Sequence, residues 1–217
     1  MRIFLDTSDI GIIRQYCETG LIDGVTTNPT LMMQAGRDPI EVIKEISSLF
    51  QEDASISAEV VGDTAEAMVL HAKDYQEINA NITIKVPCSI EGLKACKILS
   101  DKGIPVNVTL IFSVEQAILS AKAGATYVSP FIGRCEDNDI NGIGLIRSIR
   151  KVYKINNITT NILAASIRKT RHIGGSFRAG ADVVTLPPSV FQEMYKHNLT
   201  DQGLAQFDED WKKVNHR

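Results

Sequence analysis

Eight short runs rich in β-branched residues punctuate the chain: RIFLD (2–6), GVTTN (24–28), ISAEV (56–60), ITIKV (82–86), VNVTLI (106–111), YVSPF (127–131), NILAAS (161–166) and VVTLP (183–187). Between them the apolar spacing changes to that of helices, as in Ile40, Ile43, Ile46 and Leu49, and then Ala65, Met68, Ala72 and Tyr75. This alternation constrains the fold more than any other feature. Each crossover is too long for a hairpin, so successive strands pair in parallel. Eight such units close most simply into a (β/α)8 barrel, an α/β TIM barrel. The competing arrangement, a doubly wound open sheet, usually carries a glycine-rich phosphate loop after its first strand. LDTSDIG contains neither G-x-G-x-x-G nor G-x-x-x-x-G-K.

Local punctuation supports the segmentation. Asp38-Pro39 reads as an N-cap followed by proline at the first helical position, and Ser113-x-x-Gln116 has capping-box spacing. Gly20, Gly103, Gly124 and Gly180 fall where helices should stop. AGATYVSP (123–130) and AGADVVTLP (179–187) echo one another as a helix end, a glycine and a buried strand. The weakest helical segment is RKTRHIGGSFRAG (168–180), where each glycine of the pair costs roughly 1 kcal/mol relative to alanine. A barrel of this type typically needs about 250 residues, so a 217-residue chain predicts one domain with short loops. The barrel should occupy about residues 1–198. An extra amphipathic helix over about 200–214 carries Leu204, Phe207, Trp211 and Val214 on one face, able to cover its own barrel or a neighbour's.

Composition excludes some classes of function. Lys+Arg 23 against Asp+Glu 26 leaves a net charge of −3 with no concentrated basic stretch, which gives nucleic acid or an anionic membrane surface little to bind. No apolar run approaches the ~18 residues that suggest a membrane span, and MRIFLDTSD is not a signal sequence. The expectation is a cytoplasmic protein with a small partner. Cys17, Cys88, Cys96 and Cys135 are scattered without a C-x-x-C pair, as expected of reduced thiols rather than zinc ligands or a disulfide framework.

The C-terminal ends of barrel strands converge on one rim, where active sites are built, and this chain puts many polar residues there. Lys85 interrupts the apolar strand ITIKVP. It is either a snorkelling or ion-paired lysine or a desolvated amine able to attack a carbonyl and form a Schiff base. Asp6 and Glu59 come from two other strands as candidate acid and base. Taken singly, Asp6 is equally readable as an N-cap for a helix beginning near Ser8, and Glu59 as a structural partner of Lys85. Asn28 in TTNPT and Asn107 suit either backbone contacts or a polyhydroxylated substrate; Thr109 and Ser129 also fall on the rim. Arg134, Ser166 and Arg168 combine two guanidiniums and a hydroxyl as a candidate dianion site, although each arginine alone is readable as a surface charge. The histidines, His71, His172, His197 and His216, fall in helices or the C-terminal tail. A histidine-ligated metal therefore has no ligands at the rim, and no metal or cofactor is expected.

Taken in order, LDTSD, GVTTNPTL, SAEV, IKVP with EGLKA, NVTLIFS, YVSPFIGR, AASIR, GADVVTLP and LTDQGLAQFDEDWKK resemble the small transaldolases, the compact subfamily that includes fructose-6-phosphate aldolase. The resemblance covers nearly the whole chain. It implies a metal-independent class I enzyme of the pentose phosphate pathway, moving a dihydroxyacetone unit from sedoheptulose 7-phosphate to glyceraldehyde 3-phosphate and yielding erythrose 4-phosphate and fructose 6-phosphate. Lys85 would form the Schiff base, and Asp6 would exchange the C4 hydroxyl proton. Glu59 with Thr109 would activate the water of carbinolamine formation and dehydration. Asn28, Asn107 and Ser129 would hold substrate hydroxyls; Arg134, Ser166 and Arg168 would hold the phosphate. Aldolases of the subfamily carry Gln where this chain has Glu59 and Tyr where it has Phe131, so both positions point to transaldolase. A phenol at 131 would bind water or protonate the enamine and so favour release of free dihydroxyacetone, whereas phenylalanine keeps the position dry. The resemblance further implies a homo-oligomer, pentameric or decameric, with the last helix packed on a neighbouring subunit. Cys135 beside Arg134 and the glycine pair at 174–175 depart from the pattern without touching a matched residue.

Overall fold

The computed structural model describes residues 1–215; His216 and Arg217 lie outside the described residues. Its first half runs β1 (Arg2–Asp6), α1 (Ile10–Cys17), β2 (Gly24–Thr26), α2 (Pro29–Ala35), α3 (Pro39–Ser48), β3 (Ser55–Glu59), α4 (Ala65–Gln76), β4 (Ile82–Pro87) and α5 (Ile90–Ser100). The second half runs β5 (Val106–Ile111), α6 (Val114–Lys122), β6 (Tyr127–Pro130), α7 (Ile132–Glu136), α8 (Gly142–Ile155), β7 (Asn161–Ala164), α9 (Thr170–Ala179), β8 (Val183–Leu186), α10 (Pro188–Glu193) and α11 (Asn198–Asn215). The strands pair in sequence order and β8 returns to β1, closing a parallel eight-stranded barrel.

All eight expected strands form, with shifted ends. β2 stops at Thr26 because Asn28 turns out of the sheet and caps α2, its side chain accepting from the Leu31 N–H ahead of Pro29. Asp38 and the Ser113–Gln116 box cap α3 and α6 as expected. The alternative role for Asp6 is corrected: Asp9, not Asp6, caps α1, accepting from the Ile12 N–H. The glycine-containing segment at 168–180 does form a helix, α9, ending at Gly180 with φ 102. Gly175 has a packing reason, since a Cβ there would stand 3.1 Å from Ile143 Cδ1 on α8.

Strand alternation divides the buried residues into two zones. The outward set, including Leu5, Val25, Ile56, Ile84, Val108, Ile162 and Val184, joins the apolar faces of α3, α4, α5 and α8 in one continuous core. A separate apolar cluster of Phe4, Tyr127, Leu163, Ala165 and Val183 fills one side of the barrel interior. Phe4 fits because residue 24 is glycine; a Cβ there would lie 2.3 Å from the Ser55 carbonyl oxygen and 2.9 Å from the Phe4 ring. The other side of the interior is polar, with Ser55 bonded to Thr83 at 2.8 Å and Thr26 to Thr185 at 2.6 Å. A barrel plugged by apolar residues on one side and hydroxyls on the other can carry charged groups at its mouth.

α11 stands off this body. Leu204, Phe207, Trp211 and Val214 are all exposed, Phe207 at 71% and Trp211 at 65%, so the last helix does not cover its own barrel. No helix among the described residues is long and apolar enough to cross a membrane.

Candidate active site

A cavity of about 420 Å³ opens at the C-terminal ends of the strands, with Asp6, Asn28, Glu59, Lys85, Asn107, Thr109, Ser129, Phe131, Arg134 and Ser166 all in its wall. Ten of the eleven residues singled out from the sequence therefore converge. Lys85 and Glu59 sit opposite one another in the β3–β4 register. Their side chains are 8% and 16% exposed, and Lys85 Nζ lies 2.8 Å from Glu59 Oε2. Nζ also donates to the Thr27 carbonyl at 3.1 Å. These contacts fix the amine's position and leave a carboxylate within one proton transfer of it.

Asp6 reaches the same cavity from β1. Thr26 Oγ1 donates to its carboxylate at 2.9 Å and is itself bonded to Thr185. Burial raises the Asp6 pKa above the ordinary carboxylate value; Lys85 and the Thr26 hydroxyl oppose the shift without cancelling it. Thr26 and Thr185 are cavity-wall hydroxyls linked to Asp6 that the pattern of polar strand ends does not reveal. Strand parity is the signal that could have found Thr26, two residues after inward-facing Gly24.

Across the mouth, Ser129 Oγ donates to Asn107 Oδ1 at 2.7 Å, and Asn107 Nδ2 to Ser57 Oγ at 3.3 Å. Thr109 Oγ1 is buried and has no hydrogen-bond partner among the described residues. A buried hydroxyl facing a polar cavity in this state is ready for water or substrate. It reaches that position through an irregularity: the β5–β6 register shifts between Val108 and Ile111, and Leu110 adopts φ 62. The extra residue turns both Thr109 and Leu110 to the cavity.

The anion side is less complete. Arg134 and Ser166 are in the wall, with the Arg134 guanidinium carbon 5.1 Å from the centroid of the Phe131 ring. Ser166 has φ 57, a strained conformation for a serine and one held here at a cavity. Arg168 is the exception among the expected residues. Its guanidinium pairs with Asp137 outside the wall, half exposed, and lies across Gly133. A Cβ at Gly133 would meet Arg168 Nε at 2.9 Å and the Ser166 carbonyl oxygen at 2.3 Å, so glycine is required where α7 passes this loop.

The whole arrangement offers an amine nucleophile beside one carboxylate, a second carboxylate with a raised pKa, hydroxyl and amide groups for a polyol, and a cationic end. Similarity to known proteins agrees with that chemistry. Residues 3–217 match the family model described as transaldolase/fructose-6-phosphate aldolase. A probable transaldolase of Paracoccus denitrificans (strain Pd 1222) is 50% identical over 214 residues, covering 99% of this chain and 98% of that protein. A probable transaldolase of Caulobacter vibrioides (strain NA1000 / CB15N) is 50% identical over 211 residues, 97% of this chain and 96% of that protein. Among solved structures, a 3-hexulose-6-phosphate synthase matches with a TM-score of 0.65 at 17% identity, over 88% of this chain and 92% of that one. At that identity the likeness speaks to the barrel alone.

Proposed function

Because the chain belongs to the transaldolase/fructose-6-phosphate aldolase family, we infer that it is a transaldolase, transferring a dihydroxyacetone unit from a ketose phosphate such as sedoheptulose 7-phosphate to glyceraldehyde 3-phosphate. The observation that carries this reading is Lys85 held 2.8 Å from Glu59 in a cavity that also contains Asp6.

The chemistry follows from the side chains present. Lys85 Nζ gives a proton to Glu59 and attacks the C2 carbonyl, forming a carbinolamine. Glu59, with Thr109, returns that proton to the C2 hydroxyl, which leaves as water and gives the iminium. Asp6 takes the C4 hydroxyl proton, the C3–C4 bond breaks, and its electron pair moves into the iminium to leave an enamine on Lys85. The aldehyde departs, a second aldehyde binds, and the same steps run backwards. Asn28, Asn107 and Ser129 hold hydroxyls of the transferred unit. Arg134 and Ser166 hold the phosphate, joined by Arg168 once a dianion competes with Asp137 for its guanidinium. Transfer rather than release of free dihydroxyacetone is supported by Glu59 and Phe131, and by the half-identical relatives, which are named as probable transaldolases. Phe131 packs edge-on against Phe112, 5.9 Å between centroids, and has no polar group to hold a water at the enamine.

The exposed apolar face of α11 supports assembly into a homo-oligomer, a pentamer or a pair of pentamers, in which that helix packs on a neighbouring copy. The charge balance supports small partners, the sugar phosphates, with no nucleic-acid or membrane-surface role, and membership of a family of metabolic enzymes supports a cytoplasmic location.

Two measurements test the activity. Incubation with fructose 6-phosphate and borohydride should add a stable mass at Lys85, and absence of the adduct overturns the imine chemistry. Free dihydroxyacetone should accumulate slowly from fructose 6-phosphate alone while transfer to erythrose 4-phosphate runs fast. Comparable rates with and without acceptor would make the enzyme an aldolase.

A further inference from the structure

The strongest unassigned feature is a buried histidine behind the anion side of the cavity. His172 sits in the first turn of α9 with its side chain 3% exposed. Its Nε2 lies 3.1 Å from Glu136 Oε2 on α7, and its Nδ1 accepts the Arg168 backbone N–H at 3.4 Å. An imidazole that accepts at Nδ1 and faces a carboxylate with Nε2 carries its proton on Nε2. The buried ring therefore joins α7, which carries Arg134, to the loop after β7, which carries Ser166 and Arg168. Lys169, the N-cap of α9, makes no side-chain cap, so the histidine three residues later does the holding at this helix start. Around it, Arg171 pairs with Glu136 at 3.4 Å and Arg168 with Asp137.

We propose that His172 is a positioning residue for phosphate recognition, holding the Ser166–Arg168 loop in register with Arg134 through its two ring nitrogens. The backbone bonds from Ile132 to Ala165 and from Gly133 to Ser166 align the near ends of the two segments. The far end, where Arg168 must turn toward a dianion, depends on His172. The proposal rests on the transaldolase reading, and it predicts that phosphate binding suffers while the lysine chemistry continues.

The test compares His172→Gln, which keeps a donor for Glu136 but loses the acceptor for Arg168, with His172→Asn, whose Oδ1 falls where Nδ1 stood. Three readouts are taken: the KM and kcat for fructose 6-phosphate, inhibition by inorganic phosphate, and borohydride trapping of unphosphorylated dihydroxyacetone on Lys85. Losing this one long hydrogen bond predicts a rise of about 3-fold in KM and in the phosphate inhibition constant for His172→Gln. Its kcat should stay within about twofold, with trapping at the wild-type yield, and His172→Asn, which keeps the acceptor for Arg168 but loses the donor to Glu136, should show the same split through the other half of the link. An unchanged KM in His172→Gln overturns the proposal, as does a parallel loss of KM, kcat and trapping in both variants. If neither variant folds, Glu136→Ala, at a part-exposed position, decides the question: the same split supports the proposal, and an unchanged KM overturns it. A wild-type protein that gives no dihydroxyacetone adduct sinks the transaldolase reading itself, and this proposal with it.

Discussion

At the residue scale, chemistry and stability pull against each other at Asp6. Burial raises its pKa, so the folded protein binds that proton more tightly than the unfolded chain does. Where the native state holds more protons than the unfolded one, stability falls as pH rises. The window opens near 3.8, the ordinary value, and closes at the raised one. Asp6→Asn should therefore be more stable than wild type at pH 7 and equal to it below the window, as thermal melts at several pH values would show. Turnover should drop by about 10²–10⁴-fold, the usual contribution of a positioned acid or base; an equally active variant would remove Asp6 from the mechanism. The cysteines behave differently. Burial pushes every one of the four thiols up, Cys96 to about 12, which disfavours the thiolate at each of them.

At the element scale, glycines separate packing from tolerance. Gly174 is exposed in α9 and a Cβ there would meet only Arg178 Nη1 at 3.9 Å, whereas Gly133 in α7 is pressed against the Ser166 carbonyl. Gly174→Ala should stabilise the protein by about 0.5–1 kcal/mol, a rise of roughly 1–4 °C in Tm, with unchanged kinetics. Gly133→Ala has to displace backbone and should cost about 1–3 kcal/mol and raise the KM for phosphorylated substrates. Caps such as Asp38 and the Ser113–Gln116 pair are legible in sequence because each is a contact between residues a few positions apart. The irregularity at Leu110 is not, because LIF in VNVTLIFS looks like an uninterrupted strand and only the pairing with β6 shows where the extra residue lies. Arg168 is half legible: its place beside Ser166 follows from strand seven, but its pairing with Asp137, 31 residues away, does not.

At the scale of the molecule, the barrel closes a continuous apolar core while α11 keeps Leu204, Phe207, Trp211 and Val214 exposed along one face. Phe207 and Trp211, both exposed on α11, are the residues that the proposed homo-oligomer would bury against a neighbouring copy. Replacing both by glutamate should lower the mass of the particle measured by light scattering while leaving the circular dichroism of the barrel unchanged. A wild-type particle of monomer mass would overturn the proposed homo-oligomer, and an unchanged oligomer mass in the double variant would overturn the role of α11 in it.

The sequence by itself determined the eight strands, their parallel order, the caps at Asp38 and Ser113 and the set of polar residues at the strand ends. These rest on local periodicity and on the rule that strand C-termini share one rim. Only the tertiary structure decided which carboxylate faces which amine, that Thr26 and Thr185 support Asp6, that Arg168 turns outward to Asp137, and that His172 ties α7 to the loop after β7. Each of these depends on side-chain directions in elements far apart in the chain, set by barrel closure and by hydrogen bonds that buried polar groups must find wherever the packing leaves them.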